Sequence, residues 1–240
     1  MRPDPRGLYV SIPRTWKNGK PVVLQREWCI IQIPGVVPRE RGEKMTVRAG
    51  VGWSLAKDAR EAAAEAVEMA QAGLQGQFPS LALLFATVDT DLPTLVREIS
   101  RRIRKTPIFG GTSFAGVFTP AGFQSGPDGA MALMLLSDVR AGVSFCPLGK
   151  SARRAGALAA GLARRKVGPG KPPDVFLMLT PPGSEEAVVA GISGRNPGIP
   201  VVGGSPADNT IEGKWKAFAN GRVLENTAVV AALAAPGRVG

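Results

Sequence analysis

A seven-residue segment, PIFGGTS at residues 107–113, recurs in similar form 93 residues later, and this recurrence constrains the fold more than any other feature. The later segment, PVVGGS at residues 200–205, keeps the order of residue types: a proline, two large apolar residues, a glycine pair and a hydroxyl. Recurrence at a fixed offset is typical of chains built from repeated substructures. The chain is therefore best compared with itself at this offset.

Three further segments recur in the same order at offsets of 92 or 93 residues. They are LALLFAT at 81–87 with DVFLMLT at 174–180, LAKDAREAAA from Leu55 with LGKSARRAGA from Leu148, and VRAGV at Val47 with VRAGV at Val139. The sequence therefore predicts an internally duplicated domain over residues 45–240, with repeats at about residues 45–138 and 139–235.

Each repeat reads as β-α-β-α-β followed by antiparallel strands. Asp58 and Ser151 precede the first amphipathic helix of each repeat and are predicted N-caps, and so are Asp91 and Ser184 for the second helices. The apolar run at residues 81–87 is typical of a strand covered on both faces. We expect an α/β fold of mixed sheets with packed helices.

Histidine is absent from all 240 residues, and this absence excludes several kinds of site. Ser-His-Asp and Cys-His catalysis, His-ligated zinc and the usual acid–base group of neutral pH are all removed. With only Cys29 and Cys146, no disulfide framework is implied. No apolar run approaches the roughly 20 residues of a membrane span, and the first 30 residues lack signal-peptide features. We expect a soluble cytoplasmic protein without a cofactor or a metal.

The first 44 residues have no counterpart in either repeat and form a predicted irregular, basic extension. The chain carries a net charge of +11, of which +6 falls on residues 1–48. Residues 22–24 and 28–33 are candidate short strands. Met45 can be read as the translation start, with the preceding segment an upstream extension; the alternative is a genuine basic arm that binds nucleic acid.

The two glycine pairs are the candidate ligand site. In α/β sheets ligands bind beyond the carboxyl ends of strands, and glycines allow backbone N–H groups to approach a ligand oxygen. The alternative is that the glycines serve turns and close packing. The candidate ligand-binding residues are Gly110, Gly111, Thr112, Ser113, Gly203, Gly204, Ser205, Asp208 and Asn209. Asp208 and Asn209 suit a ligand amine, although they also suit a turn-stabilising role.

Other motifs fail on spacing. Gly149-Lys150-Ser151 lacks the preceding glycine that a phosphate loop requires. The segment from Gly111 to Gly116 reads GxSxxG instead of the hydrolase GxSxG elbow. A hydrolase that uses Ser113 or Ser205 stays as the alternative function, although its base would have to be a lysine or a carboxylate.

Taken together, the motifs resemble the FIST domain family, specifically its N-terminal domain. The resemblance rests on AGVGWS, LALLFAT before a helix, PIFGGTSFAG, GFQSGPDGAMALMLL, PVVGGSPADN and FANGRV, which together span about residues 49–234. It implies a non-enzymatic sensory domain of signal transduction whose ligand is a small molecule such as an amino acid. Because no companion domain or output module is recognised after it, we expect a separate signalling output protein as partner. We expect no membrane partner, and the basic arm leaves nucleic acid as the second alternative.

Overall fold

The computed structural model describes residues 8–10, 29–31, 46–170, 172–210 and 212–236. Contacts between Cα atoms divide the chain into Met1–Met45 and Thr46–Gly240. Within the first unit, β1 (Leu8–Val10) pairs antiparallel with β2 (Cys29–Ile31), which falls inside the strand predicted at residues 28–33. The strand predicted at residues 22–24 lies outside the described residues.

The second unit contains two successive sets of elements. The first set is β3 (Ala49–Ser54), α1 (Ala59–Gly73), β4 (Leu81–Ala86), α2 (Leu92–Arg102), β5 (Ile108–Thr112), β6 (Val117–Thr119), β7 (Gly122–Gln124) and β8 (Met131–Leu136). The second set is β9 (Arg140–Pro147), α3 (Ala152–Val167), β10 (Val175–Leu179), α4 (Glu185–Arg195), β11 (Val201–Gly204), β12 (Ala217–Ala219), β13 (Arg222–Leu224) and β14 (Thr227–Ala234).

Three of the four predicted helix caps are confirmed. Asp58 accepts hydrogen bonds from the backbone N–H groups of Arg60 and Glu61 at 2.8 and 3.0 Å. Asp91 and Ser151 cap α2 and α3 in the same way. The prediction for Ser184 is wrong, because it precedes α4 without making a side-chain cap hydrogen bond.

The strands form two mixed sheets, which confirms the predicted α/β class. The six-stranded sheet has the order β13-β12-β5-β4-β8-β3, and the four-stranded sheet has the order β11-β10-β14-β9. Both sheets arrange the strands of one set in the same order, as β5-β4-β8-β3 in the larger sheet and β11-β10-β14-β9 in the smaller. In this order β5 is parallel to β4, and β11 is parallel to β10. The six-stranded sheet also takes β12 and β13 from the second set, because β12 pairs antiparallel with β5. A separate hairpin, β6–β7, completes the first set.

Three hydrophobic clusters show how the layers are arranged. One joins α1 and α2 to the six-stranded sheet through residues such as Leu84, Ile99 and Phe218. Another joins α3 and α4 to the four-stranded sheet. The third contains residues of both sheets, among them Phe109 and Val143. Because neighbouring residues of a strand point to opposite faces, the sheets pack face to face with helices outside, in four layers.

Close backbone contact fixes α1 on β3. A Cβ atom on Gly50 would lie 1.8 Å from the carbonyl oxygen of Ala70 in α1, and one on Gly52 would lie 2.0 Å from that of Ala66. Only glycine therefore fits at these two positions of the strand.

The glycine pairs lie inside strands, although the sequence suggested that the strands ended before them. Gly110 and Gly111 belong to β5, and Gly203 and Gly204 belong to β11. Among the described residues, none of the four helices has the length and apolar content that a membrane crossing requires.

Candidate functional site

A cavity of about 390 Å³ opens where β4 ends and α2 begins. It is lined by Val88, Asp89, Leu92, Asn209, Thr210, Lys214 and Lys216. Val88 and Asp89 follow β4, Leu92 starts α2, and the remaining residues belong to the connection between β11 and β12. The cavity thus lies at the carboxyl end of a parallel strand, where α/β folds commonly bind ligands.

A hydrogen-bonded chain crosses the mouth of this cavity. The Asn209 side-chain amide donates to the Asp89 carboxylate, and its Oδ1 accepts from the backbone N–H of Ala115 at 2.7 Å. Asn209 therefore joins the loop after β4 to the loop after β5. Asp89 is exposed, so its carboxylate can still accept hydrogen bonds from a bound group.

Two lysines supply the positive charge of the cavity. Lys214 pairs with Glu212, and the hydrogen bond that its ammonium donates to this carboxylate raises the pKa of Lys214 above its usual value. The Nζ atom of Lys216 lies 3.0 Å from a carboxylate oxygen of Glu225. Lys214 and Lys216 therefore line the same cavity as Asp89.

Buried polar residues hold these lysines in place. Asp208 is 4% exposed, and its carboxylate accepts from the backbone N–H groups of Thr210 and Lys214, at 3.3 and 2.6 Å. Thr112 is 3% exposed and joins β5 to Lys216: its N–H donates to the Lys216 carbonyl at 2.8 Å, and its Oγ1 accepts from the Lys216 N–H at 3.0 Å. Asp208 and Thr112 therefore hold the backbones of Lys214 and Lys216 in position.

The first glycine pair is enclosed within the six-stranded sheet. Gly110 and Gly111 lie in β5 between β4 and β12, and both are buried. A Cβ on Gly110 would lie 1.7 Å from the Leu84 carbonyl oxygen, so this position serves close strand packing. Ser113, just beyond, is half-buried, and its backbone N–H donates to the Ala86 carbonyl at 2.9 Å.

The second glycine pair is open to solvent. Gly203 is exposed and Gly204 half-buried, and a Cβ on Gly204 would meet no atom within 4 Å. The Ser205 hydroxyl that follows donates to the Glu185 carboxylate at the start of α4. This hydrogen bond, followed by backbone N–H groups of residues 183–185, lowers the pKa of Glu185. At the same corner Thr180 is fully buried, and its Oγ1 has no hydrogen-bond partner among the residues that the structure describes.

The structure thus divides the nine candidate residues. Asn209 lines the cavity, Asp208 and Thr112 support its lysines, and the others lie in β5, in β11 or directly beyond these strands. Asp89, Lys214 and Lys216 were not among the candidates. Asp89 follows the predicted buried strand at residues 81–87 by two residues, and this position could have suggested it. The two lysines have no comparable signal, since an irregular loop brings them to the cavity.

A second cavity, of about 330 Å³, lies between α3 and α4. Its lining includes Arg153, Arg154 and Arg195, so it is basic. In the part of the chain that the structure describes, His, Cys, Asp and Glu form no group of three or more that could hold a metal ion.

Comparison with known proteins identifies the family. The family model of the FIST N domain matches residues 80–240, about two thirds of the chain. The matched region contains β4, β5 and all of the second set of elements, and hence every residue that lines the cavity at β4 and α2. No curated protein matches the sequence. The chain belongs to the FIST N domain family of sensory domains.

Proposed function

We propose that this protein is a non-enzymatic sensory domain that binds a small zwitterionic metabolite, such as an amino acid, in the cavity at β4 and α2. The observation that carries the proposal is that Asp89, Lys214 and Lys216 line one cavity of about 390 Å³. This volume lies within the range of roughly 300–1,000 Å³ that is usual for small-molecule sites.

The charges of the cavity suit the two ends of an amino acid. The ligand carboxylate is drawn to the lysines. The ligand ammonium is drawn to Asp89. Val88 and Leu92 supply the apolar wall that an aliphatic side chain would contact.

Asn209 provides a short structural connection between this site and the β6–β7 hairpin. Asn209 bonds both to Asp89 and to the backbone of Ala115, which leads into the β6–β7 hairpin. We propose that a separate output protein reads the bound state and that the protein acts in the cytoplasm.

A thermal-shift screen of amino acids and related metabolites tests the proposal. At about 100 times Kd, a ligand stabilises the folded state by roughly 2.7 kcal/mol. For a chain of this size, we expect a rise in Tm of roughly 5–10 °C. The amino acid that scores is then compared with its deaminated acid and its decarboxylated amine, each of which keeps one charge.

Matched variants locate the site. Asp89→Asn is expected to weaken binding of the amino acid at least tenfold and to leave binding of the deaminated acid unchanged, because only the ammonium contact is lost. Lys214→Gln should weaken binding of the amino acid and of the deaminated acid and leave binding of the decarboxylated amine unchanged, because only the carboxylate contact is lost. The controls are Glu68→Gln and Lys150→Gln, which change exposed charges elsewhere. A ligand that binds equally well to all four variants does not use this cavity, and silence across the whole screen contradicts the proposal.

The hydrolase alternative draws on the hydrogen bond from Ser205 to Glu185. The lowered pKa of Glu185 makes its carboxylate a weak base for a serine hydroxyl. This favours a structural role for the hydrogen bond between Ser205 and Glu185, at the start of α4, over a catalytic one. Labelling by a fluorophosphonate that disappears in Ser205→Ala, or in Ser113→Ala, would nevertheless establish this function.

The nucleic-acid alternative draws on the net charge of +11 and on the arginines between α3 and α4. It predicts retention on heparin that falls steeply with salt. Free passage through heparin at low salt would eliminate it.

A further inference from the structure

Among the described residues, the outer edge of β11 has no pairing strand. β11 is the last strand of the four-stranded sheet, and no other described strand pairs with this edge. Its Val202 side chain is 57% exposed. The strand reads VVGG and carries no charge, although exposed edges in natural proteins are normally protected by charged residues because they pair with other chains.

The six-stranded sheet shows what fits such an edge. Its corresponding strand is β5, in which Phe109 stands 93 positions before Val202. The β12–β13 hairpin covers β5, with Phe218 opposite Gly110, and Phe109 is only 4% exposed there. A short antiparallel hairpin is therefore the element that closes this kind of edge in this fold.

The β6–β7 hairpin has the same form as β12–β13. Each has two three-residue strands joined by two residues, with the first strand paired to the second in the same register. Phe118 occupies the position of Phe218. Phe218 is fully buried, whereas Phe118 is 84% exposed and its ring centroid lies 5.2 Å from that of Phe123. Residues 117–124 also carry no charge. Within its described residues, the chain therefore has both an edge without a partner strand and a hairpin of the kind that covers such an edge.

The connections of the two hairpins differ in length. β12 reaches β5 after a twelve-residue connection, residues 205–216, which lets it cross from one sheet to the other. β6 follows β5 after only four residues, 113–116. The short connection keeps the β6–β7 hairpin with its own set of elements.

Anchoring contacts reinforce this placement. Within the four-residue connection, Ser113 donates its N–H to the Ala86 carbonyl, and Ala115 donates its N–H to Asn209. Val117, at the start of β6, packs in a cluster with Trp53. Held in this way, the hairpin leaves β11 of its own chain uncovered.

We infer that the hairpin of one copy covers β11 of a second copy, and that the reciprocal contact forms a two-fold dimer. The register of β12 on β5 fixes the register of the new pair. Thr119 lies opposite Val202, and Phe118 lies opposite Gly203. Because the same two copies exchange their hairpins, both edges are used within the pair, and the assembly closes at two copies instead of growing into a fibre.

The dimer buries the exposed Phe118. Phe218 lies in the cluster formed with α1 and α2, so Phe118 is directed to the cluster formed with α3 and α4. The rim of that cluster contains the half-buried Val189, Ile199 and Val201.

One sequence difference between the two hairpins makes the pairing of β6 with β11 weaker than the pairing of β12 with β5. Asn220, in the turn of β12–β13, donates its N–H to the Ile108 carbonyl at 3.1 Å and accepts from the Ile108 N–H at 3.3 Å. Pro120 takes its place in β6–β7 and has no N–H to donate. The dimer is therefore expected to be reversible and to depend on concentration.

Light scattering coupled to size exclusion tests the assembly. The full chain should approach twice 25.1 kDa as concentration rises. Phe118→Ala and Val202→Lys should each raise the dimer Kd at least tenfold, since one removes the buried ring and the other charges the edge. Phe78→Ala is the control, because Phe78 is 82% exposed but lies outside both elements. A mass of 25.1 kDa at all concentrations, or a dimer that neither variant weakens, overturns the inference.

Cysteine crosslinking distinguishes pairing between chains from pairing within one chain. In a Cys29→Ser/Cys146→Ser background, mixed chains that carry either Thr119→Cys or Val202→Cys should form a disulfide heterodimer, because opposed residues of paired strands lie within disulfide reach. A mixture with Phe78→Cys in place of Thr119→Cys should not. If the double variant Thr119→Cys/Val202→Cys forms its disulfide only within one chain, the hairpin closes on its own β11 and the second copy is excluded.

Discussion

At the scale of single residues, the corner between β11 and α4 shows how a tertiary contact replaces a local one. Ser184 occupies the N-cap position of α4 but makes no cap hydrogen bond. Glu185, one residue later, instead accepts from the Ser205 hydroxyl, and its pKa is lowered. The local sequence correctly predicted Asp58, Asp91 and Ser151 as caps because each bonds within its own helix. It could not predict the Glu185 contact, whose partner is 20 residues away.

The lowered pKa of Glu185 predicts how stability depends on pH. A carboxyl whose pKa is depressed on folding stabilises the protein above its ordinary pKa, here 4.5, and this contribution is lost as pH falls through the folded value. Glu185→Gln should therefore be less stable than the wild type at about pH 7 and should approach it below about pH 4. Urea unfolding at a series of pH values measures the difference, with Glu186→Gln as the neighbouring control. A difference that does not change with pH would show that the charge of Glu185 is not responsible.

At the scale of elements, glycine content decides how closely strands and helices approach. β3 lies so near α1 that its glycines contact the helix backbone, whereas Gly161 of α3 faces open space. The sequence placed both helices correctly by their periodicity. The sequence did not predict how close each helix lies to its sheet, because a glycine in a strand has the same sequence pattern whether it permits close packing or a bend.

A pair of glycine substitutions tests this difference. Gly50→Ala should destabilise the fold by about 1–3 kcal/mol or more, because the new methyl group meets the rigid backbone at Ala70. Gly161→Ala should stabilise it by about 0.5–1 kcal/mol, because alanine favours a helix and meets no neighbour there. Both values come from urea midpoints at constant m-value. Equal effects of the two substitutions would contradict the close approach of β3 and α1.

At the scale of the whole molecule, the second unit holds every described helix and strand except β1 and β2. The predicted domain start near Met45 therefore leads to a prediction about truncation. A chain that begins at Met45 should be soluble, unfold with the same cooperativity as the full chain, and bind the same ligand. Far-UV circular dichroism during urea unfolding and the thermal-shift screen provide the comparison. Aggregation of the shortened chain would show that residues 28–33 cover apolar surface and belong to the fold.

The order of elements followed from the sequence, but the way the two sets combine did not. Strand and helix positions depend on local periodicity, and the strand predicted at residues 81–87 is found as β4 (Leu81–Ala86). The pairing of β12 with β5, and the meeting of Asp89 with Lys214 and Lys216, depend on contacts between distant segments. Nothing in the local pattern distinguishes Phe118 from Phe218, although one is exposed and the other buried.

The position of β12 in the six-stranded sheet also sets the order in which the protein can be completed during its synthesis. β5 ends at Thr112, and the strand that covers it begins at Ala217, about 105 residues later. At roughly 5–20 residues per second, the ribosome needs on the order of 5–20 s to make the intervening chain. During this interval the β5 edge of the emerging first half is uncovered, and the Phe218 side chain is missing from its hydrophobic core. The first half of the chain therefore finishes folding only after nearly all of the second half has been translated.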